Sequence, residues 1–482
     1  MKLKYGRVSL RVACAVLAGA GLCGCLAGCG GSGTTTKTAA GVASSPVDAS
    51  GNRVAVKEAA IELFSKGLAI ADSDPAQAIR LFTQAAKEDG RFAEAWYNIG
   101  LLEQRLGNVS EARAAYEKAR QMRPDMAGIY TNLAKMLIGE GKYDEAEALL
   151  LKVVDDKTGI EPYNVEANLN LGMIYRRRGE AILERERGGV EPKFNISGNE
   201  RKGEIENREA YDMFAKAVAR IRRALSGDSN NIYSYENLCA IYYMLNQLEV
   251  ARLVCTQAKL KYEEYNAELK SQLDAGRISK VEFDRKAYTP RDLAVIFNTS
   301  GLIYLAEGEV SLGNAEFRSA LEFDSNSVSV MLNVAGIAVN VQDYPLAYDL
   351  YTRILALEPG NVAAYLSKGV AARGLNRLDE AEKIYRDIIA RHPNFPQASF
   401  NLAVLYQEYY LKFDEARKMF EDFAALPQAQ QIIPGRVEEA RLRIKQIDEL
   451  KEAQRKAEAE QAEMKAIIEE NERRARERGA SE

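Results

Sequence analysis

From about Ala60 to Gln430, apolar and small residues return at a period of 34 positions. Within each period, two stretches of helical spacing flank a short polar turn. The copy beginning at Ala93 shows the pattern most fully. Trp96, Ile99 and Gly100 stand at its fourth, seventh and eighth places, Ala112, Tyr116 and Ala119 at its twentieth, twenty-fourth and twenty-seventh, and Pro124 at its thirty-second. The large fourth and seventh residues and the small eighth share one face of a first helix. The small twentieth residue lets a second helix approach, and the proline stops it. The copy at Ala127 repeats this with Tyr130, Leu133, Ala134, Ala146 and Leu150. Later, Ala335, Ala347, Tyr351 and Pro359 are followed 34 residues on by Gly369, Ala381, Tyr385 and Pro393. Nine helix pairs are expected, starting near Ala60, Ala93, Ala127, Val165, Ile232, Ala294, Val328, Val362 and Pro396.

This spacing resembles the tetratricopeptide repeat. The resemblance implies an all-α, right-handed superhelical solenoid of about nine helix-pair repeats, ending here in a charged C-terminal helix. Two units depart from the period. The unit at Val165 keeps Leu171, Gly172 and Tyr175, but a charged insertion, 176–209, delays its second helix (Tyr211 to Leu225), with a loop around Gly188 to Gly203. After Ala258 the next second helix runs on through Tyr262, Tyr265 and Leu269 to a loop at Gly276 and Pro290. Both insertions are expected to project from the solenoid. The expected organisation is therefore units 1–5 over 59–258, a helical extension and loop over 259–293, units 6–9 over 294–435, and a capping and charged helix over 436–482. That last segment carries twelve basic and thirteen acidic residues. Ile444, Ile447 and Leu450 can cap the last repeat, but no sustained heptad follows, which predicts a solvated single helix.

Composition narrows the function classes. Repeats cover about three quarters of the 482 residues and leave no room for a catalytic domain. His392 is the only histidine, which excludes paired-histidine zinc motifs and leaves little acid–base apparatus near neutral pH. Gly28, Gly30 and Gly33 spell a dinucleotide-binding fingerprint with no strand before it, and Gly139-Glu140-Gly141-Lys142 lacks the earlier glycine of a phosphate loop. The reading is a protein that is not an enzyme, with no cofactor, no metal and no small-molecule substrate. Lys and Arg number 65 against 69 Asp and Glu, without the basic excess that nucleic-acid binding uses.

The N-terminus reads as an export signal. Lys2, Lys4, Arg7 and Arg11 precede an apolar run from Val12 to Leu26, too short to span a bilayer comfortably. Leu26-Ala27-Gly28-Cys29 resembles the lipobox of bacterial lipoproteins, which implies a signal peptide over 1–28 and a lipid-modified (palmitate-bearing) Cys29. Gly30 after that cysteine implies the outer membrane. The alternative is a plain secretory cut near Ala27. Residues 29–58 are mostly small and polar and read as a flexible tether.

At 100° per residue, the sixth place of each first helix points away from the second helix, toward the groove. Asn98, Asn132, Asn170, Asn237, Asn333 and Asn401 occupy it, with Thr299 and Ser367 as exceptions. An amide offers a donor and an acceptor, so such a row can hold an extended peptide by its backbone. It resembles the asparagine ladder of peptide-binding tetratricopeptide proteins. The competing role is the helix-to-helix hydrogen bonding that asparagine serves in the repeat consensus. Cys239 and Cys255 fall at the eighth and twenty-fourth places of one unit. They are either bridged in an oxidising periplasm or two reduced core thiols.

Ser300 to Gly308 (SGLIYLAEG) and Phe400 to Gln407 (FNLAVLYQ), with the charged tail, resemble the TPR lipoproteins of the adventurous gliding-motility machinery. That resemblance implies an outer-membrane-anchored adaptor, facing the periplasm, that binds protein partners of a bacterial envelope complex. The alternative is a carrier or chaperone lipoprotein for pilus or outer-membrane protein assembly.

Overall fold

In the pairs at Ala93, Ile232, Ala294 and Val362 the eighth and twenty-fourth residues meet, and the helix pair closes around that contact. The computed structural model describes residues 56–186, 207–393 and 395–479. Within them lie 21 α-helices and no strand. They run in pairs: α1 (Glu58–Ile70) with α2 (Pro75–Glu88), α3 (Ala93–Arg105) with α4 (Val109–Met122), and α5 (Ala127–Gly139) with α6 (Tyr143–Val154). Next come α7 (Val165–Glu186) with α8 (Arg208–Gly227) and α9 (Ile232–Met244) with α10 (Leu248–Asp274). A short α11 (Lys280–Lys286) precedes α12 (Pro290–Glu307) with α13 (Val310–Phe323). The remaining pairs are α14 (Val328–Asn340) with α15 (Tyr344–Leu357), α16 (Val362–Gly374) with α17 (Leu378–Arg391), and α18 (Gln397–Glu408) with α19 (Phe413–Ala425). The described chain ends with α20 (Pro427–Ile432) and α21 (Pro434–Gly479). Nine helix pairs are therefore present among the described residues.

A Cβ added at Gly100 would lie 2.6 Å from the Tyr116 ring, at Gly301 2.6 Å from Phe317, and at Gly369 2.7 Å from Tyr385. The eighth place is small because a buried aromatic from the second helix occupies the space a side chain would need. Burying such a ring contributes about 1.5–3 kcal/mol. The turn between the two helices imposes a second constraint. Gly107, Gly141 and Gly308 have φ of 82°, 76° and 88°, and Asn246, Gln342 and Asn376 have φ of 57°, 64° and 61°. All six stand at the fifteenth place, where the chain reverses through the left-handed region that glycine and asparagine tolerate best.

The chain packs as two units, residues 56–185 with 207–327, and residues 328–479. In the first, Leu133 and Tyr116 belong to one apolar cluster, and Leu150, Leu171, Phe214, Ile221 and Ile241 to another. In the second, Tyr385, Ala403, Phe420 and Phe423 pack with Val437, Ala440 and Ile447 of α21. The capping face differs from expectation at one residue: Ile447 is buried and Ile444 partly so, but Leu450 is 55% exposed. Arg417 and Lys451 pair with Asp448 and Asp414 across α19 and α21, which ends the apolar seam before Leu450.

The second insertion does not simply project. Helix α10 runs unbroken past Tyr262 and Tyr265, whose rings lie 6.5 and 5.0 Å from that of Tyr288. Asn266 clamps the Tyr288 backbone: its Nδ2 donates to the Tyr288 carbonyl and its Oδ1 accepts from the Tyr288 N–H, each at 2.9 Å. Tyr288 is buried, and the segment folds back on its own unit. Residues 176–186 of the first insertion continue α7, and the loop expected around Gly188 to Gly203 lies outside the described residues.

The packing at the eighth place predicts opposite signs at two glycines. Gly100→Ala should lower stability by about 1–3 kcal/mol, because the Tyr116 ring is fully buried and has nowhere to move. Gly139→Ala, which meets nothing within 4 Å, should raise it by up to about 1 kcal/mol. Chemical denaturation of the two variants checks both.

Candidate functional site

The first helices α3, α5, α7 and α9 carry the asparagine row of the N-terminal unit, and neighbouring members of the set are tied together by polar side chains. Asn132 is only 6% exposed, and its Nδ2 donates to the Tyr97 hydroxyl of α3 at 3.2 Å. That hydroxyl sits against Gly128 of α5, where a Cβ would be 2.7 Å from it. Lys135 of α5 pairs with Glu166 of α7. Arg176 of α7 donates from Nη1 to Asn237 Oδ1 of α9 at 2.9 Å and from Nε to Glu180 at 2.8 Å.

The row is therefore not uniformly solvated. Asn132, Asn237 and Asn333 are 6%, 5% and 5% exposed, while Asn98, Asn170 and Asn401 are partly exposed. Asn98 and Asn237 each donate from Nδ2 to the carbonyl four residues back, Glu94 and Tyr233, at 2.8 Å. Thr299, at the same place of its unit, does likewise to Val295 at 3.1 Å. Two amides thus bridge first helices in the way the repeat consensus does. The side chains of Asn170 and Asn401 form no hydrogen bond among the described residues. Asn333 and Asn401 stand on α14 and α18 in the C-terminal unit, where Asn333 is already engaged.

Sequence reasoning missed the charged side chains of this wall. Glu236 precedes Asn237 on α9. Burial pushes its carboxyl above the ordinary 4.5. The Arg176 charge opposes that rise and the Asp292 carboxylate adds to it. The only signal in the sequence was its fifth place, beside the asparagine. In the C-terminal unit Arg443 of α21 donates to Gln407 and Glu408 of α18, each at 2.8 Å.

Cys239 and Cys255 lie with Cα atoms 5.5 Å apart and form a disulfide across 16 residues. A closed loop of that length is worth about 3 kcal/mol in the chain-entropy account. The bridge occupies the same eighth-to-twenty-fourth contact that glycine and an aromatic fill elsewhere. Cys29 and the signal peptide lie outside the described residues. Among the described residues no helix is long and apolar enough to cross a membrane, and no cluster of His, Cys, Asp and Glu is arranged to hold a metal ion.

A pH dependence follows from Glu236. A carboxyl whose folded pKa is raised binds its proton more tightly in the folded state, so it lowers stability as pH rises above about 4.5. Glu236→Gln removes that loss. The variant should melt above the parent chain at pH 7, and the difference should vanish below pH 4, where both states of the parent are protonated. Thermal melts at the two pH values check it.

Tetratricopeptide-repeat family models match residues 104–169 and 338–402, and a second such model matches 57–127. A human protein O-mannosyl-transferase, TMTC3, is 22% identical over 380 residues, covering 73% of this chain and 41% of the relative. Mouse tetratricopeptide repeat protein 21A is 20% identical over 320 residues, covering 65% and 21%. This chain thus spans less than half the length of either. Among solved structures, Pseudomonas aeruginosa pilF is 17% identical with a TM-score of 0.40, covering 60% of this chain and 99% of that one. PilW, described as a type IV pilus biogenesis factor, is also 17% identical, with a TM-score of 0.38, covering 55% and 94%. With its nine helix pairs and the matched repeats, the chain is an all-α tetratricopeptide solenoid, a protein-interaction scaffold.

Proposed function

We propose that this protein is a lipid-anchored periplasmic adaptor of the outer membrane, whose first-helix wall holds an extended segment of a partner in an envelope complex, that of gliding motility by sequence resemblance. The observation that carries the reading is the row of the N-terminal unit: Asn170 presents an unengaged amide at the place where Asn132 and Asn237 tie neighbouring helices together. An extended backbone supplies the alternating donors and acceptors that such amides lack. Two further features support the compartment. Leu26-Ala27-Gly28-Cys29 follows a basic and then apolar leader, and the Cys239–Cys255 bridge suits an oxidising space.

A photo-reactive amino acid at Asn98, Asn170 or Asn401 should cross-link a partner in intact cells, while one at Arg80, on the outward face of α2, should not. Alanine at Asn98 and Asn170 together should weaken capture about tenfold or more, since each lost hydrogen bond costs about 0.5–1.5 kcal/mol. Asn132→Ala should instead lower the melting temperature, because it orphans the Tyr97 contact. A fixed set of cross-linked envelope proteins supports the adaptor, and a changing set of unfolded clients supports the carrier. Cross-linking from Arg80 alone overturns the groove.

Cys29→Ser should release the protein from outer-membrane fractions or leave it unprocessed, since the acyl chains that hold it would be missing. Unchanged fractionation, with no lipid mass on the N-terminal peptide, would overturn the anchor.

A further inference from the structure

In the repeat at Ala93 the buried Tyr116 ring lies across Gly100, and its hydroxyl donates to Gln104 Oε1, one turn further along α3, at 2.8 Å. The repeat at Val362 has the same register: the Tyr385 ring lies across Gly369, and the residue one turn on is Arg373. An acceptor has become a donor. Arg373 is 4% exposed and Tyr385 is fully buried, yet Arg373 Nη1 and the Tyr385 hydroxyl are both out of solvent with no hydrogen-bond partner among the described residues. Burial pushes the Tyr385 hydroxyl up to about 12; the Arg373 charge opposes that rise and Tyr409 adds to it, so both lie within electrostatic reach. The Tyr409 ring, 37% exposed at the end of α18, lies 6.0 Å from the Arg373 guanidinium and forms the outer wall. All three residues belong to the C-terminal unit.

The carboxylates at the start of α17 are engaged elsewhere. Glu380 accepts from the Tyr348 hydroxyl at 2.6 Å, Glu382 from Tyr406 at 2.7 Å and Asp379 from Tyr410 at 3.1 Å. Arg373 stands in the last turn of α16, where the helix dipole favours a cation. A guanidinium this enclosed is still costly without a counter-charge. We propose that Arg373 and Tyr385 form a site for one carboxylate, carried either by a free small acid or by a partner chain, which enters past Tyr409. A guanidinium matches a carboxylate in plane and in charge. One negative charge balances Arg373, whereas a doubly charged phosphate would bring a second, unpaired charge into the same enclosed space. The Tyr385 hydroxyl, with no acceptor of its own, supplies a further donor. This assignment uses none of the row's asparagines, so it stands independently of the groove reading.

Sodium acetate is the probe for the site. At constant ionic strength, replacing chloride by about 0.3 M acetate should raise the melting temperature of the full chain by about 2–4 °C, the shift for a ligand at several times its Kd. Saturation transferred from the aromatic protons to the acetate methyl should report the same binding directly. Arg373→Gln reproduces the arrangement of Gln104 with Tyr116, so it should abolish both responses. Tyr385→Phe keeps the ring and should weaken acetate binding several-fold, which keeps the site testable if the first variant folds poorly. A photo-reactive amino acid at Leu411, two residues beyond Tyr409 and 63% exposed, separates the two sources. A protein cross-linked there only while Arg373 is present places the carboxylate on a partner, with or without an acetate response. Acetate binding without such a cross-link makes it a free acid. Responses that persist in both variants, or that chloride matches, overturn the site. So does a parent chain that shows neither an acetate response nor an Arg373-dependent cross-link.

Discussion

The approach of the eighth residue of each first helix to the twenty-fourth of its second sets the geometry on which everything else depends. Where the eighth is glycine, a ring (at Gly100, Gly301 and Gly369) or Ile221 (at Gly172) fills the gap at distances no added Cβ could share. Where it is alanine, as at Ala335 and Ala134, Tyr351 and Leu150 do so, and both are fully buried. In the fifth pair the same contact is covalent, through Cys239 and Cys255. Close packing on this side of the first helix leaves its opposite side to face neighbouring first helices, and so creates the polar wall. The left-handed turn at the fifteenth place keeps the two helices in the register that the contact needs.

Once the wall exists, its side chains must be satisfied by one another or by something else. Arg176 is shared between Glu180 and Asn237, Lys135 pairs with Glu166, and Asn132 bonds Tyr97. These links run from one first helix to the next. They hold the wall together and reduce the number of amides free for a partner. The cost of crowding shows at Glu236, whose carboxyl is pushed up by burial despite the nearby guanidinium. A wall that is partly self-satisfied suits an extended ligand held at intervals better than one held at every repeat.

The insertion after α10 belongs to the same economy of contacts. Its tyrosines and Asn266 fasten one end to the repeat stack, and its charges reach the first repeat turn. A segment so held joins the fifth repeat to the first, whereas the rest of the array packs mainly between neighbours.

The periodic sequence by itself determined the helix pairs, their starts at Ala93, Ala127, Val165, Ile232, Val328 and Val362, and the run of α10 through Tyr265, because size and spacing within one repeat decide which faces bury. It also placed Cys239 and Cys255 at meeting positions, since that contact is local. The tertiary structure alone decided which asparagines are spent between helices and which remain open, that Leu450 leaves the capping seam, and that Arg285 meets Asp72. Each of these depends on side chains from different repeats or insertions arriving together. A 34-residue pattern carries no information about such meetings, because every repeat presents nearly the same face while its neighbours differ in charge and length.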